Sequence, residues 1–125
     1  MSSLPKKRVT FFFSDIEGST QLLTELGEGY AHVLQEYHNI IRALLSEYDG
    51  EEMDTAGDGL FIVFPSARQA ITAALKAQRA FAAQAWARQI GFRVRIGIHT
   101  GDAVEAPSGY IGLEVHRASR ICHAA

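Results

Sequence analysis

The sequence predicts an α+β domain, an antiparallel sheet with helices packed on one face. Three observations carry this. Apolar residues recur every second position in some segments and every third or fourth in others, so strands and helices are both present. The two kinds of segment alternate along the chain. Two extended runs flank a short glycine-rich turn, which reads as a hairpin.

Each element can be justified in order. Residues 8–14 (RVTFFFS) are β-branched and aromatic, with apolar side chains on both parities. That pattern fits a central strand buried on two faces. The run Asp15-Ile16-Glu17-Gly18-Ser19-Thr20 ends it. From Leu22, apolar residues at 23, 26, 30, 33, 34, 37, 40, 41, 44, 45 and 48 keep helical spacing. Gly27 and Gly29 mark a kink or a split into two helices. Gly50 is placed to cap the C-terminus.

Residues 51–56 and 60–64 then flank Gly57-Asp58-Gly59 as the two strands of a hairpin. Pro65 stops the second strand. Ser66 followed by Gln69 is a capping-box signature. Ala70, Ile71, Ala74, Leu75, Phe81, Ala82 and Ala85 form the next helical stripe, and its small residues predict close packing on a sheet. Phe92, Val94, Ile96 and Ile98 alternate with Arg93, Arg95, Gly97 and His99, which reads as a strand with one apolar face. Thr100-Gly101-Asp102 reads as a turn, residues 103–106 as a short strand, and residues 110–125 as a loop leading into a helix. The order βαββαβ is the ferredoxin-like arrangement.

Composition narrows the function classes. The 125 residues support one domain. Twelve Lys and Arg against fourteen Asp and Glu leave a net charge of −2, which argues against a general nucleic-acid binder. No apolar run reaches the roughly 20 residues of a membrane helix, so membrane insertion by this chain is not expected. The apolar run after Lys6-Lys7-Arg8 is stopped by Asp15 and does not read as a signal peptide. One cysteine, Cys122, excludes an internal disulfide and fits a reducing, cytoplasmic setting. Its place on an apolar stripe reads as packing. The sequence contains no Walker phosphate loop, Rossmann glycine fingerprint, HExxH or Gly-x-Ser-x-Gly motif.

A pair of carboxylates remains. Asp15 falls at the end of the first strand and Asp58 in the hairpin turn. A ferredoxin-like sheet brings these ends together. Two aspartates side by side repel unless a cation neutralises them, and an oxygen-only set suits Mg²⁺ or Mn²⁺. Two such ions can clamp a phosphoryl displacement. Spacing alone favours the plainer reading, in which Asp15 caps the following helix and Asp58 fills a turn.

Phe13-Ser14-Asp15-Ile16-Glu17-Gly18-Ser19-Thr20 resembles the opening signature of class III nucleotidyl cyclases, the adenylate and guanylate cyclase catalytic domains. Thr55-Ala56-Gly57-Asp58-Gly59 is similar to their second metal motif. Arg95-Ile96-Gly97-Ile98-His99-Thr100-Gly101 resembles their fourth-strand signature, and the segment from Tyr110 to Arg120 their catalytic helix. The particular wording resembles bacterial cyclase-homology domains.

The resemblance implies roles for individual residues. Asp15 and Asp58 would bind two metal ions, Mg²⁺ or Mn²⁺, with Ile16 adding a backbone carbonyl. Ile16, Glu17, Gly18 and Ser19 would wrap the triphosphate of ATP or GTP. Arg120 would stabilise charge on the reacting phosphate. His116 stands where the family usually has an asparagine that orients the ribose, and Asp54 stands at the purine-reading position.

The family works as a head-to-tail dimer with sites at the interface, so a homodimer is implied. The implied reaction is attack of the ribose 3′-oxygen on the α-phosphate, which releases pyrophosphate and a 3′,5′-cyclic nucleotide, with ATP ahead of GTP as substrate. The family pattern continues through further strands with a triphosphate-gripping lysine, so residues 1–125 are expected to be a domain lacking its C-terminal strands. The rival reading is a non-catalytic cyclase-homology module that binds nucleotide or dimerises. Diguanylate cyclases and polymerase palms share the paired acids, but the Gly-Gly-Asp/Glu-Glu-Phe turn is missing here. Arg93 and Arg95 read as a solvated strand face, Phe11 to Phe13 as core, and His38 and His123 have no evident partner in the sequence.

Overall fold

The computed structural model describes residues 6–56, 58–106 and 109–111. Five strands form one antiparallel sheet in the order β2-β3-β1-β4-β5. They are β1 (Lys6–Ile16), β2 (Glu51–Ala56), β3 (Gly59–Phe64), β4 (Val94–Ala106) and β5 (Gly109–Ile111). Between β1 and β2 lie α1 (Ser19–Leu26), a 3₁₀ turn (Gly27–Gly29) and α2 (Tyr30–Glu47). Between β3 and β4 lie α3 (Ala67–Ala83) and α4 (Ala85–Ile90). The α+β ferredoxin-like expectation holds, and the hairpin strands end where the sequence placed them.

β1 is central and apolar on both sides because both of its faces are covered. Phe12 and Ile16 join Leu60, Ile62 and Phe64 under the helices. Val9 and Phe11 join Phe61 and Val63 on the opposite face. The helical layer is built from two stripes. Tyr30, Val33, Tyr37, Ile41 and Leu45 are the buried face of α2, and Ala70, Ala73, Ala77 and Phe81 that of α3. Alanines let the α3 backbone lie close to the sheet, so its cohesion comes from area rather than from large side chains.

The glycine-marked break between the two helices is the 3₁₀ turn, with Gly27 at φ 54°. Ser66 is the N-cap of α3, as predicted: the Gln69 backbone amide donates to Ser66 Oγ at 3.3 Å, while the Gln69 side chain accepts from the Ser66 hydroxyl at 2.9 Å in place of the backbone bond of a full capping box.

Four local expectations are corrected. The residue after α2 in the left-handed region is Asp49, at φ 60°, not Gly50. Gly50 is needed for space instead, because a Cβ there would lie 2.8 Å from Phe64 Cε1 and 3.0 Å from Leu45 Cδ2. Thr100-Gly101-Asp102 is not a turn. β4 runs through it, since β1 offers ladder partners from Lys6 to Ile16. The Thr10 and Thr100 hydroxyls meet across that ladder at 2.8 Å. A continuous pairing partner overrides the local turn preference. The α3 stripe ends at Ala83 rather than running on through Ala85, because Gln84 is extended (φ −82°, ψ 123°) and starts α4. The segment at Tyr110 contributes β5, which pairs with Val104–Ala106, rather than a loop.

Candidate functional site

The site is assembled by strand register. β1 and β3 are antiparallel with Ser14 opposite Leu60. One step along each strand brings Asp15 beside Gly59, next in sequence to Asp58. The two aspartates therefore reach the same end of the sheet, as the motif reading requires.

Asp58 sits in the hairpin turn, as its spacing allowed, but Asp15 does not play the capping role at α1. The N-cap is Gly18, in the left-handed region at φ 66°, with no side-chain cap. Asp15 instead lies opposite Arg95 in the β1–β4 ladder. Arg95 Nε donates to Asp15 Oδ1 at 2.8 Å and Nη2 to Oδ2 at 3.0 Å. This is a bidentate fork between half-buried groups, the geometry in which arginine and carboxylate match best. Arg95 is therefore not a solvated strand residue, whereas Arg93 is exposed and its carbonyl accepts from the Glu17 amide at 2.9 Å.

Asp58 is tied to α2. The Tyr30 hydroxyl donates a short hydrogen bond to Asp58 Oδ2. Burial raises the Tyr30 phenol above its ordinary range, and the bond to Asp58 raises it further, while a hydrogen bond with Ser19 pulls the other way. The phenol thus stays protonated as a donor. His38 Nε2 is 3.0 Å from the Asp58 backbone oxygen. A carbonyl only accepts, so Nε2 carries the proton. His38 therefore has a partner that the sequence did not reveal.

Other sequence-predicted residues place as follows. Ile16 is buried at the end of β1, while Glu17 and Gly18 are exposed and Ser19 is half-buried at the start of α1. Leading amides of a helix lack partners within it, so the start of α1 offers N–H donors beside Asp15. The Asp54 backbone lies opposite Phe61, past an irregularity in β2, and its side chain is outside the described residues. His116, Arg120, Cys122 and His123 also lie outside them. Sequence reading missed Tyr30, His38 and Arg95. For Arg95 the signal was available in principle, as an opposite charge at the same depth of a neighbouring strand.

Asp15 and Asp58 offer carboxylate oxygens at the same end of the sheet, and oxygen donors are the kind a hard divalent cation prefers. Among the described residues, no group of three His, Cys, Asp or Glu side chains converges on one point. Any cation here would draw its remaining ligands from backbone, substrate or water. A groove of about 500 Å³ lies between α3 and β4, lined mainly by apolar residues including Leu75, Phe81, Phe92 and Ile98, with Glu17 and Arg95 also on its wall.

This fold, with paired acids at a strand end and a hairpin turn, matches a known family. The model of the adenylate and guanylate cyclase catalytic domain covers residues 1–119. The chain belongs to that family. It is 29% identical to an adenylate cyclase of Mycosarcoma maydis over 97% of this chain, which spans 6% of that relative's length. A solved adenylate cyclase from Trypanosoma brucei, in its monomeric state, superposes with a TM-score of 0.81 at 26% identity, covering 91% of this chain and 68% of that one. The adenylyl cyclase CyaB from P. aeruginosa gives a TM-score of 0.80 at 28% identity, covering 98% and 74%. Among the described residues, no helix is long and apolar enough to cross a membrane.

Proposed function

We propose that this chain is a nucleotidyl cyclase domain that converts ATP, or less readily GTP, to a 3′,5′-cyclic nucleotide and pyrophosphate. The observation that carries this reading is the placement of Asp15 and Asp58 at the same end of the sheet in a chain of the cyclase family. Named adenylate cyclases among its relatives support ATP ahead of GTP.

Asp15, Asp58 and the Ile16 carbonyl would hold two divalent cations, Mg²⁺ or Mn²⁺. When bound, these supply charge neutralisation for the triphosphate and acidify the ribose hydroxyl. The chain itself binds and orients. The turn from Ile16 to Ser19 presents amides to the phosphates. Arg120 stabilises charge on the reacting phosphate, His116 orients the ribose and Asp54 reads the purine. Such a reaction rests on positioning and electrostatics rather than on a side-chain base. The sites would lie at the interface of a head-to-tail homodimer in the cytoplasm, with Arg120 serving the partner's metal pair.

Incubation with Mn²⁺ and ATP or GTP, at concentrations where the chain self-associates, tests this directly. Cyclic nucleotide detected by mass spectrometry, and lost in Asp58→Asn, is the expected result. The second reading is a nucleotide-binding or dimerising module without turnover. It draws on the engagement of both carboxylates by protein partners, Arg95 and Tyr30. Nucleotide binding by calorimetry with no product would favour it.

A further inference from the structure

One helix touches the segments that carry both acids. Tyr30 and Tyr37 are two turns apart on the buried face of α2. The Tyr30 hydroxyl reaches the Asp58 carboxylate, and His38 Nε2 holds the Asp58 backbone oxygen at 3.0 Å. The Tyr37 hydroxyl shares a 2.6 Å hydrogen bond with Ser14 Oγ, one residue before Asp15. Tyr37 and Ser14 are both buried, so that bond is shielded from competing water. The Tyr37 ring also meets the His38 ring, with centroids 5.1 Å apart, and packs against Phe81 and Phe92.

We propose that α2 is a brace that sets the spacing of the two acids, with Tyr30 and His38 as positioning residues for Asp58 and Tyr37 anchoring the strand end that carries Asp15. The inference rests on the reading of Asp15 and Asp58 as cation ligands. Its physical basis is that Asp15 lies near the end of β1, whereas Asp58 sits in the turn between β2 and β3 with no ladder partner of its own. A turn residue held at both its carboxylate and its carbonyl cannot swing or rotate freely. Fixing a ligand before the cation arrives removes the cost of ordering it on binding. The contacts come from a rigid helix rather than a loop, which holds geometry more tightly.

The test is Mn²⁺ titration of the full chain, read by electron paramagnetic resonance of free and bound ion and requiring no turnover. Tyr30→Phe removes the donor and little volume. It is expected to weaken Mn²⁺ binding about tenfold and to change the bound-ion line shape, in line with the 10–100-fold effects of removing partners behind metal ligands. His38→Leu is expected to weaken binding likewise, and His38→Gln, whose amide can still donate, to recover most of it. A purely structural role would lower urea stability without this rescue pattern. Unchanged or tighter Mn²⁺ binding in folded Tyr30→Phe and His38→Leu, with binding lost in Asp58→Asn, overturns the brace alone. Unchanged binding in Asp58→Asn overturns the cation-site reading and the brace with it.

Discussion

Arg95 holds Asp15 with two parallel hydrogen bonds, Nε to Oδ1 at 2.8 Å and Nη2 to Oδ2 at 3.0 Å, between residues paired across the β1–β4 ladder. The pair is half-buried, so breaking it removes two charge-assisted hydrogen bonds that water screens only in part. Arg95→Ala is expected to destabilise the fold by about 1–2 kcal/mol in urea denaturation. Arg95→Lys should recover less than half of that, because an ammonium cannot reproduce the fork. Full recovery by lysine would show that charge alone matters.

Asp58→Asn separates folding from chemistry. The asparagine carbonyl still accepts from Tyr30, so the midpoint of urea unfolding should move by less than about 1 kcal/mol. Nucleotide turnover, under the proposed function, should fall at least about a hundredfold, because a neutral amide is a poor ligand for a hard dication. Retained turnover would remove Asp58 from the site.

The Thr10–Thr100 hydroxyl pair gives a double-mutant test. Thr10 is fully buried and its bond to Thr100 is 2.8 Å long. Thr10→Val should cost about 1 kcal/mol by stranding the other hydroxyl. Thr10→Val with Thr100→Val should cost clearly less than the sum of the single changes, since no donor is then orphaned. Simple additivity would argue that the bond contributes nothing.

Two neighbouring residues should respond unequally to substitution. Gly50→Ala drives a methyl against Phe64 and Leu45, with a 2.8 Å approach to Phe64 Cε1. It should cost about 1–3 kcal/mol through overpacking. Asp49→Gly relaxes a left-handed residue at φ 60° but loses the 3.0 Å bond from Gln69. It should be within about 0.5 kcal/mol of wild type in thermal melts.

The Arg42–Glu52 pair sets a small pH dependence. The Arg42 hydrogen bond, outweighing burial, holds the Glu52 carboxyl below its ordinary range. A group depressed on folding stabilises above its unfolded pKa and loses that contribution as pH falls through the folded one. Glu52→Gln should therefore lower stability by about 0.2–1 kcal/mol at neutral pH and converge with wild type in strong acid. The difference should shrink in high salt.

Much of the fold was legible because its signals are local. The buried α2 face follows directly from the spacing of Tyr30, Val33, Tyr37, Ile41 and Leu45. The three phenylalanines 11–13 announced a strand covered on both faces, and Phe11 and Phe12 are buried on opposite sides. The Ser66–Gln69 box marked the start of α3. The misread turn at Thr100-Gly101-Asp102 shows the limit. Local preference named a turn there, and a partner strand about ninety residues upstream made it ladder.

The sequence by itself determined the order of elements, the family and the identity of the two acids, because periodicity, caps and motifs are properties of neighbours in the chain. Tertiary structure alone decided what those acids touch. Asp15 meets Arg95, 80 residues away, and Asp58 meets Tyr30, 28 residues away. Those contacts depend on the register of β1 against β3 and β4. A slip of one residue would turn every side chain to the other face and separate them.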